Sequence, residues 1–421
     1  MSGLFPPLPG ETRQVLNRLP ELIDKTFPIP GRFRQALPGD VAELSRLLTS
    51  GRTERSGSYL GKPALLSAYL HYFLPWNIYR LCRLLSPQVS LGTQAGMGNL
   101  SLGLKANSTI NDLGSGPLTL AAALWISRSD LRSVPLEFRC MDRTPAVLEA
   151  GKKLFAALTA HSPCPWKLRT IRGEVKRNGT LSAEIRGKPA GLSAAVNMYN
   201  ELFWSFSPLD SDGLTRFAEN HARLLSSLTD GDGFILVAEP GIPRSGEFIS
   251  SLRSALLKEG RVPISPCTHA LPCPLPGTQG GKMVKSKWCH FAFDTDDAPE
   301  ELHKLSLAAG IPKERAVFSF ILAGAAQDGA TSDCTARDKI KIAKPREKTR
   351  IISDSFPVGG GKNNNENIWG RYGCSERGLV LITGNKKTME SSPSGALEEL
   401  AIVNGKTDSK SGALLAEKNR C

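Results

Sequence analysis

From Ser108 to Leu322 the chain alternates short apolar runs with amphipathic stretches, and this alternation limits it to one broad architecture. Ile110 to Leu113, Leu136 to Met141, Trp166 to Val175, Leu192 to Met198 and Gly233 to Ala238 read as strands. Between them, Leu118 to Ile126, Pro145 to Leu158 and Leu209 to Leu228 carry apolar residues at three- and four-residue spacing, the period of a helix face. Gly246 to Lys258 and Glu300 to Ala309 continue the pattern, with strands expected at Cys289 to Phe293 and Ala316 to Leu322. Strands separated by helices pair in parallel and are covered on both faces. The expected fold is therefore α/β, with room for a final antiparallel strand.

The first strand ends in Asp112-Leu-Gly114-Ser-Gly116-Pro-Leu. Glycine has no Cβ, so this backbone can approach a ligand closely. The second strand ends at Asp142, where an acid accepts hydrogen bonds from ribose hydroxyls. A glycine pair alone would also fit an ordinary tight turn. Together with the acid and the strand order it points to a class I S-adenosylmethionine methyltransferase (Rossmann-like) fold, with Asp112, Gly114, Gly116 and Asp142 as cofactor-binding residues. Pro117-Leu118 departs from the small third residue usual in such loops. After the fourth strand, Asn197-Met-Tyr199-Asn200 occupies the position that faces substrate in this fold. Asn197, Tyr199 and Asn200 are the catalytic candidates, by hydrogen bonding to or stacking on a base. Helix-cap asparagines and a packing aromatic are the plainer reading. The segment is not Asn-Pro-Pro-Tyr, and no cysteine nucleophile stands here or after Glu239-Pro240.

Cys267, Cys273 and Cys289 interrupt the second half of this fold, within a Cys-rich insertion over 262–289. Clustered thiolates bind borderline and soft metals and iron–sulfur clusters. The N-terminus, Met1-Ser-Gly-Leu-Phe-Pro-Pro, lacks the charged and apolar regions of a signal peptide. The expected compartment is cytoplasmic, where ligation explains clustered cysteines better than disulfides do. The spacing is neither a zinc ribbon nor a bacterial ferredoxin repeat. A fourth ligand must come from elsewhere: Cys334 or Cys374, or His269 or His290 for zinc. Cys374 is the better candidate, since it lies in a glycine-rich turn ahead of an apolar strand. Cys82, Cys140 and Cys164 read as small buried hydrophobes.

Residues 1–105 read as a helical N-terminal region, 106–325 as the methyltransferase-like domain, and 326–421 as a basic C-terminal extension with a disordered tail. In the extension only Gly378 to Thr383 reads as a strand. The net charge of +13 suits a polyanion partner. Lys339, Lys341, Lys344, Arg346, Lys348 and Arg350 are the expected phosphate contacts; a solvated, lysine-rich edge strand is the alternative. No apolar run approaches the roughly 20 residues that span a bilayer, and a monomer is expected.

These residues together resemble the methyltransferase-like mitochondrial small-ribosomal-subunit assembly factors and their bacterial relatives. The likeness is carried by Ser67-Ala-Tyr-Leu, Asp112-Leu-Gly-Ser-Gly-Pro and Glu239-Pro-Gly-Ile-Pro-Arg-Ser-Gly246. Pro266-Cys-Thr-His, Cys273-Pro-Leu, Trp288-Cys-His-Phe and the basic Lys344-Pro-Arg extend it. The resemblance implies S-adenosylmethionine as cofactor and a 4Fe–4S cluster held by Cys267, Cys273, Cys289 and Cys374. It also implies partnership with the small ribosomal subunit and its rRNA, in assembly or methylation. The chain departs from the family in a longer gap before Cys289 and an expanded segment between Arg350 and Cys374. Two alternatives remain: a zinc-stabilised methyltransferase on a non-ribosomal substrate, and a catalytically inactive assembly scaffold.

Overall fold

The computed structural model describes residues 3–51, 59–87, 102–203, 211–275, 288–326, 346–358 and 368–418. The chain divides into two compact units. One comprises Phe5–Tyr199 and Asp294–Ala316; the other comprises Met1–Leu4, Asn200–Phe293 and Val317–Cys421.

The first unit holds strands β1 (Ser108–Leu113), β2 (Leu136–Asp142), β3 (Lys167–Arg172) and β4 (Ala190–Val196). They lie in the order β3-β2-β1-β4, all parallel where they pair. The last four residues of β1 are buried in succession, as both-face coverage of a parallel strand requires. The helix Thr119–Ser127 that follows is buried at every position and correspondingly apolar all round. An aromatic cluster fixes the flank: Trp166 meets Trp125 edge-on at 5.1 Å and stacks on Phe138 at 5.1 Å. The N-terminal helices are in the same unit. Gly10–Thr26 buries Leu16, Leu19 and Ile23 on one stripe, while Leu74–Leu85 buries Trp76, Ile78 and Tyr79. A π-helical turn, Tyr69–Phe73, precedes that second helix.

The second unit holds β5 (Thr229–Pro240), β6 (Arg261–Ser265), β7 (Phe291–Asp294) and β8 (Arg315–Ala325). Here β8 runs antiparallel between β5 and β6, and β7 pairs β8 as well. The expected antiparallel last strand is thus present.

The same unit contains a second sheet: β9 (Arg346–Ile351), β10 (Phe356–Pro357), β11 (Trp369–Ser375), β12 (Gly378–Gly384), β13 (Leu397–Thr407) and β14 (Leu414–Glu417). Because β9 pairs with both β13 and β11, five strands close into a barrel. Its core is Ile351, Val380, Ile382, Met389, Ala396, Leu400, Ile402 and Ala416, with Trp369 and Leu414 packed against it. This corrects the expected disordered tail, since β13 and β14 occupy most of it. Closure removes the exposed edges that a short polar strand would otherwise present. The Gly-, Ser- and Asn-rich stretch from Gly92 to Gly103 falls mostly outside the described residues.

Candidate functional site

The glycine loop after β1 is built on left-handed backbone. Gly114 has φ +64°, Gly116 φ +53° and Leu118 φ +56°. A Cβ on Gly114 would lie 2.5 Å from Met198 Cγ, so no other residue fits there. The Gly116 amide donates to Asp142 Oδ2 at 3.0 Å and the Thr144 amide to Oδ1 at 2.9 Å. The acid at the end of β2 thus braces the loop while each oxygen keeps acceptor capacity. The departure at Pro117-Leu118 is absorbed by Gly151, where a Cβ would come within 2.5 Å of the Pro117 carbonyl carbon. Nothing in the sequence flagged that glycine, which sits on a helix distant in the chain.

Asp112 is buried, and burial, then the charge of Asp142, pushes its carboxyl up to about 8. Asp112 Oδ2 and Ser115 Oγ are buried without a hydrogen-bond partner among the described residues. Unsatisfied polar atoms beside a Cβ-free loop suit a ligand that brings hydrogen-bonding groups of its own. The residues present therefore fit a nucleoside cofactor.

The catalytic candidates fare differently. Asn197 lies in left-handed backbone at φ +55°. Tyr199 is 0% exposed, so as placed it offers no face to a base and is corrected to a packing residue. Asn200 is committed to buried Glu239: its amide nitrogen and Nδ2 donate to Oε2 at 3.1 and 2.8 Å. A substrate-orienting role for Asn200 is replaced by a structural one.

The four cysteines come together. Cys267 and Cys273 follow β6, Cys289 precedes β7 and Cys374 lies on β11. All four line one cavity with Arg253, His269 and Arg350. Arg253, on the helix Pro243–Lys258, is 2% exposed. Its Nε donates to Cys267 Sγ at 3.3 Å, and its Nη2 donates to the His269 and Leu271 carbonyls at 2.7 Å each. The loop after β6 is wrapped around this guanidinium. From the barrel, Arg350 donates Nε to Pro266 O at 3.0 Å and Nη1 to Gly395 O at 2.9 Å. Cys374 Sγ lies 3.5 Å from His269 Nε2.

Cys289 is seated through its neighbour. Trp288 donates Nε1 to Gly241 O at 3.0 Å, and a Cβ on Gly246 would strike the Trp288 side chain at 2.8 Å. The glycines of Glu239-Pro-Gly…Gly246 therefore make room for the tryptophan that positions the ligand. Ser319 Oγ donates to the Cys289 carbonyl at 2.8 Å.

Burial dominates the electrostatics. It pushes the Cys267 thiol up, against the Arg253 charge, and takes Cys289 well above the ordinary thiol value, with the other cysteines adding to it. Cys374 is raised likewise. Arg350 is brought down to about 10 by burial, while Cys267, Cys289 and Cys374 pull the other way. Thr268 Oγ1, His269 Nδ1 and Arg253 Nη1 are buried without a hydrogen-bond partner among the described residues. Four thiolates around a dication would leave roughly two negative charges, and two guanidiniums face the cavity. The donor set thus fits a thiolate-held metal group. Among the described residues no group of three or more His, Cys, Asp or Glu is placed to hold a single metal ion. Cys334 lies outside the described residues.

Of the expected phosphate contacts, Lys339, Lys341 and Lys344 lie outside the described residues. Arg346 and Lys348 are exposed on β9. Arg350 is 4% exposed and engaged by two carbonyls, so its expected phosphate contact is corrected to a bracing role in the cysteine centre.

The strand orders 3-2-1-4 in one unit, and 5-8-6 in the other with strand 8 antiparallel, are those found in the class I S-adenosylmethionine methyltransferase fold. That is the class of protein the fold defines. More narrowly, residues 210–356 match the family described as mitochondrial small ribosomal subunit Rsm22, a segment that holds Cys267, Cys273, Cys289 and Arg350.

Among solved structures, precorrin-6y C5,15-methyltransferase from Geobacter metallireducens is 11% identical with a TM-score of 0.29, covering 53% of this chain and 83% of its own. Geranyl diphosphate C-methyltransferase from Streptomyces coelicolor is 11% identical with a TM-score of 0.30, covering 53% and 75%. No curated protein matches the sequence. No helix among the described residues is long and apolar enough to cross a membrane. The expectation of a cytoplasmic protein gains no support, since the matching family is described as mitochondrial.

Proposed function

We propose that this protein binds S-adenosylmethionine, carries a 4Fe–4S cluster on Cys267, Cys273, Cys289 and Cys374, and acts on the small ribosomal subunit through its rRNA. The observation that carries the reading is the convergence of four cysteines and two buried arginines on one cavity. Bound there, the cluster would cross-link the loop after β6 to the barrel, and the arginines would balance its charge. Asp112, Gly114, Gly116 and Asp142 would hold the cofactor, which supplies an electrophilic methyl group when bound. The family match supports the ribosomal partner, and exposed Arg346 and Lys348 support phosphate contact.

Anaerobic purification followed by iron, sulfide and zinc analysis, with absorbance near ~400 nm, tests the centre. About four iron and four sulfide per chain is the expected result; colourless protein with stoichiometric zinc would overturn the cluster. Co-sedimentation with small subunits over a salt series tests the partner, and binding should fall as salt rises. A second reading, an assembly factor without transferase activity, is favoured by the burial of Tyr199 and the commitment of Asn200 to Glu239. Labelled S-adenosylmethionine offered with small subunits decides between them by whether label reaches rRNA.

A further inference from the structure

In chain order β9, β11, β12, β13 and β14 are strands one to five of the closed barrel. Their pairings run one–two–three–five–four–one, with strands three and five parallel. The helix Lys386–Glu390 lies between strands three and four. This is the connectivity of the oligonucleotide/oligosaccharide-binding barrel, which receives its ligand on the outer face of strands two and three. Connectivity alone is analogy, so the side chains must decide.

Half of that outer face is already taken. Cys374 on strand two and Arg350 on strand one meet His269 and Pro266 of the chain's own cysteine loop. The other half lies toward the start of β11 and the end of β12, where Trp369 pairs with Gly384. Here Phe356 stacks on Tyr372 with ring centroids 5.0 Å apart and planes 25° apart, both rings half-buried. Pro357 pairs with Trp369, and Lys386 Nζ lies 5.0 Å from the Trp369 ring. Ile368 is 37% exposed, and Lys386 and Lys387 are exposed. Two half-buried aromatic rings and two lysines thus share one end of the barrel, with Lys386 over Trp369, which itself packs against the barrel core. Aromatic platforms beside cations are how such barrels hold unpaired bases and their phosphates. Lys386 also pairs with Glu390 at 3.7 Å on the exposed helix face, and Lys387 beside it is exposed.

We propose that this end of the barrel binds single-stranded RNA, with Phe356 and Tyr372 as the stacking platform and Lys386 and Lys387 neutralising phosphates. The proposal rests on the ribosomal reading above and assigns it a surface and a strandedness. Helical RNA would not serve, because its bases are stacked on one another.

The test uses the full chain, a fluorescent single-stranded oligouridine and an RNA duplex of equal length. Single-strand binding should exceed duplex binding. Phe356→Ala should weaken it about tenfold, and Lys386→Glu should weaken it and lower the salt slope by about one. Arg186→Glu, an exposed charge change in the other unit, should leave both unchanged. Thermal melting checks that both Phe356→Ala and Lys386→Glu stay folded, since Lys386 also contacts Trp369 and Glu390. If both barrel variants bind oligouridine like the parent while small subunits still co-sediment, the barrel assignment fails and the ribosomal reading stands. If barrel-dependent oligouridine binding is seen but small subunits do not co-sediment, the ribosomal reading fails instead.

Discussion

Replacing Arg253 with methionine should loosen the loop after β6 without disturbing the rest of the chain. The side chain is 2% exposed and donates to two carbonyls at 2.7 Å and to Cys267 Sγ at 3.3 Å. Hydrogen bonds from a charged donor contribute about 1.5–3 kcal/mol each. Removing the buried charge returns part of that, because a guanidinium is costly to desolvate. A net loss of about 2–4 kcal/mol follows, confined to the segment the guanidinium organises. At about 1.4 kcal/mol per tenfold, amide hydrogen exchange over residues 265–275 should accelerate by about 30- to 700-fold. Amides of β2, in the other unit, should exchange as before. Arg253→Lys keeps the charge but loses the fork, so it should recover only part of the protection. Exchange within about threefold of the parent in Arg253→Met would refute the idea that this guanidinium holds the loop.

Asp112 gives a pH dependence. Its folded carboxyl titrates near 8 against an ordinary value of 3.8, so the unfolded chain releases this proton first as pH rises. Its contribution to stability is full below about pH 4 and is lost as pH climbs toward 8, at about 1.4 kcal/mol per unit. Asp112→Asn should flatten the fall in melting temperature across that window, and an unchanged slope would count against the assignment. Gly114→Ala must displace Met198 and occupy left-handed backbone. Calorimetry should therefore show S-adenosylmethionine binding weakened about five- to thirtyfold, from roughly 1–2 kcal/mol of backbone strain. Undiminished binding would place the cofactor elsewhere. Cys374→Ser should lower the bound metal and sulfide per chain measured after anaerobic purification; retention of the full complement would exclude Cys374 as a ligand.

The first sheet is legible because β4 is a near-continuous apolar run of strand length, and because a glycine turn follows β1. The barrel is not. Leu397-Glu-Glu-Leu-Ala consists of good helix formers, yet it forms β13, because cross-strand pairing with β9 overrides local preference. Arg346, Lys348 and Arg350 lie on one face of β9, since alternate strand residues point the same way. What the sequence hides is that the far end of that face lies under the cysteine loop. The cysteine trio announces itself through spacing and flanking prolines. Arg253 does not, because an arginine on an amphipathic helix reads as solvent-facing until the loop that wraps it is known.

The second unit draws on three separated stretches of chain, and the Leu4 amide donates to Gly395 O at 3.2 Å. Leu4 thus finds this partner only once the chain has been made as far as Gly395. Cys267, Cys273 and Cys289 likewise emerge well before β11 delivers Cys374. The set of four thiols exists only once the chain extends past Cys374, so a product truncated before β11 carries an incomplete set. Loading of this site would then report that synthesis has passed β11.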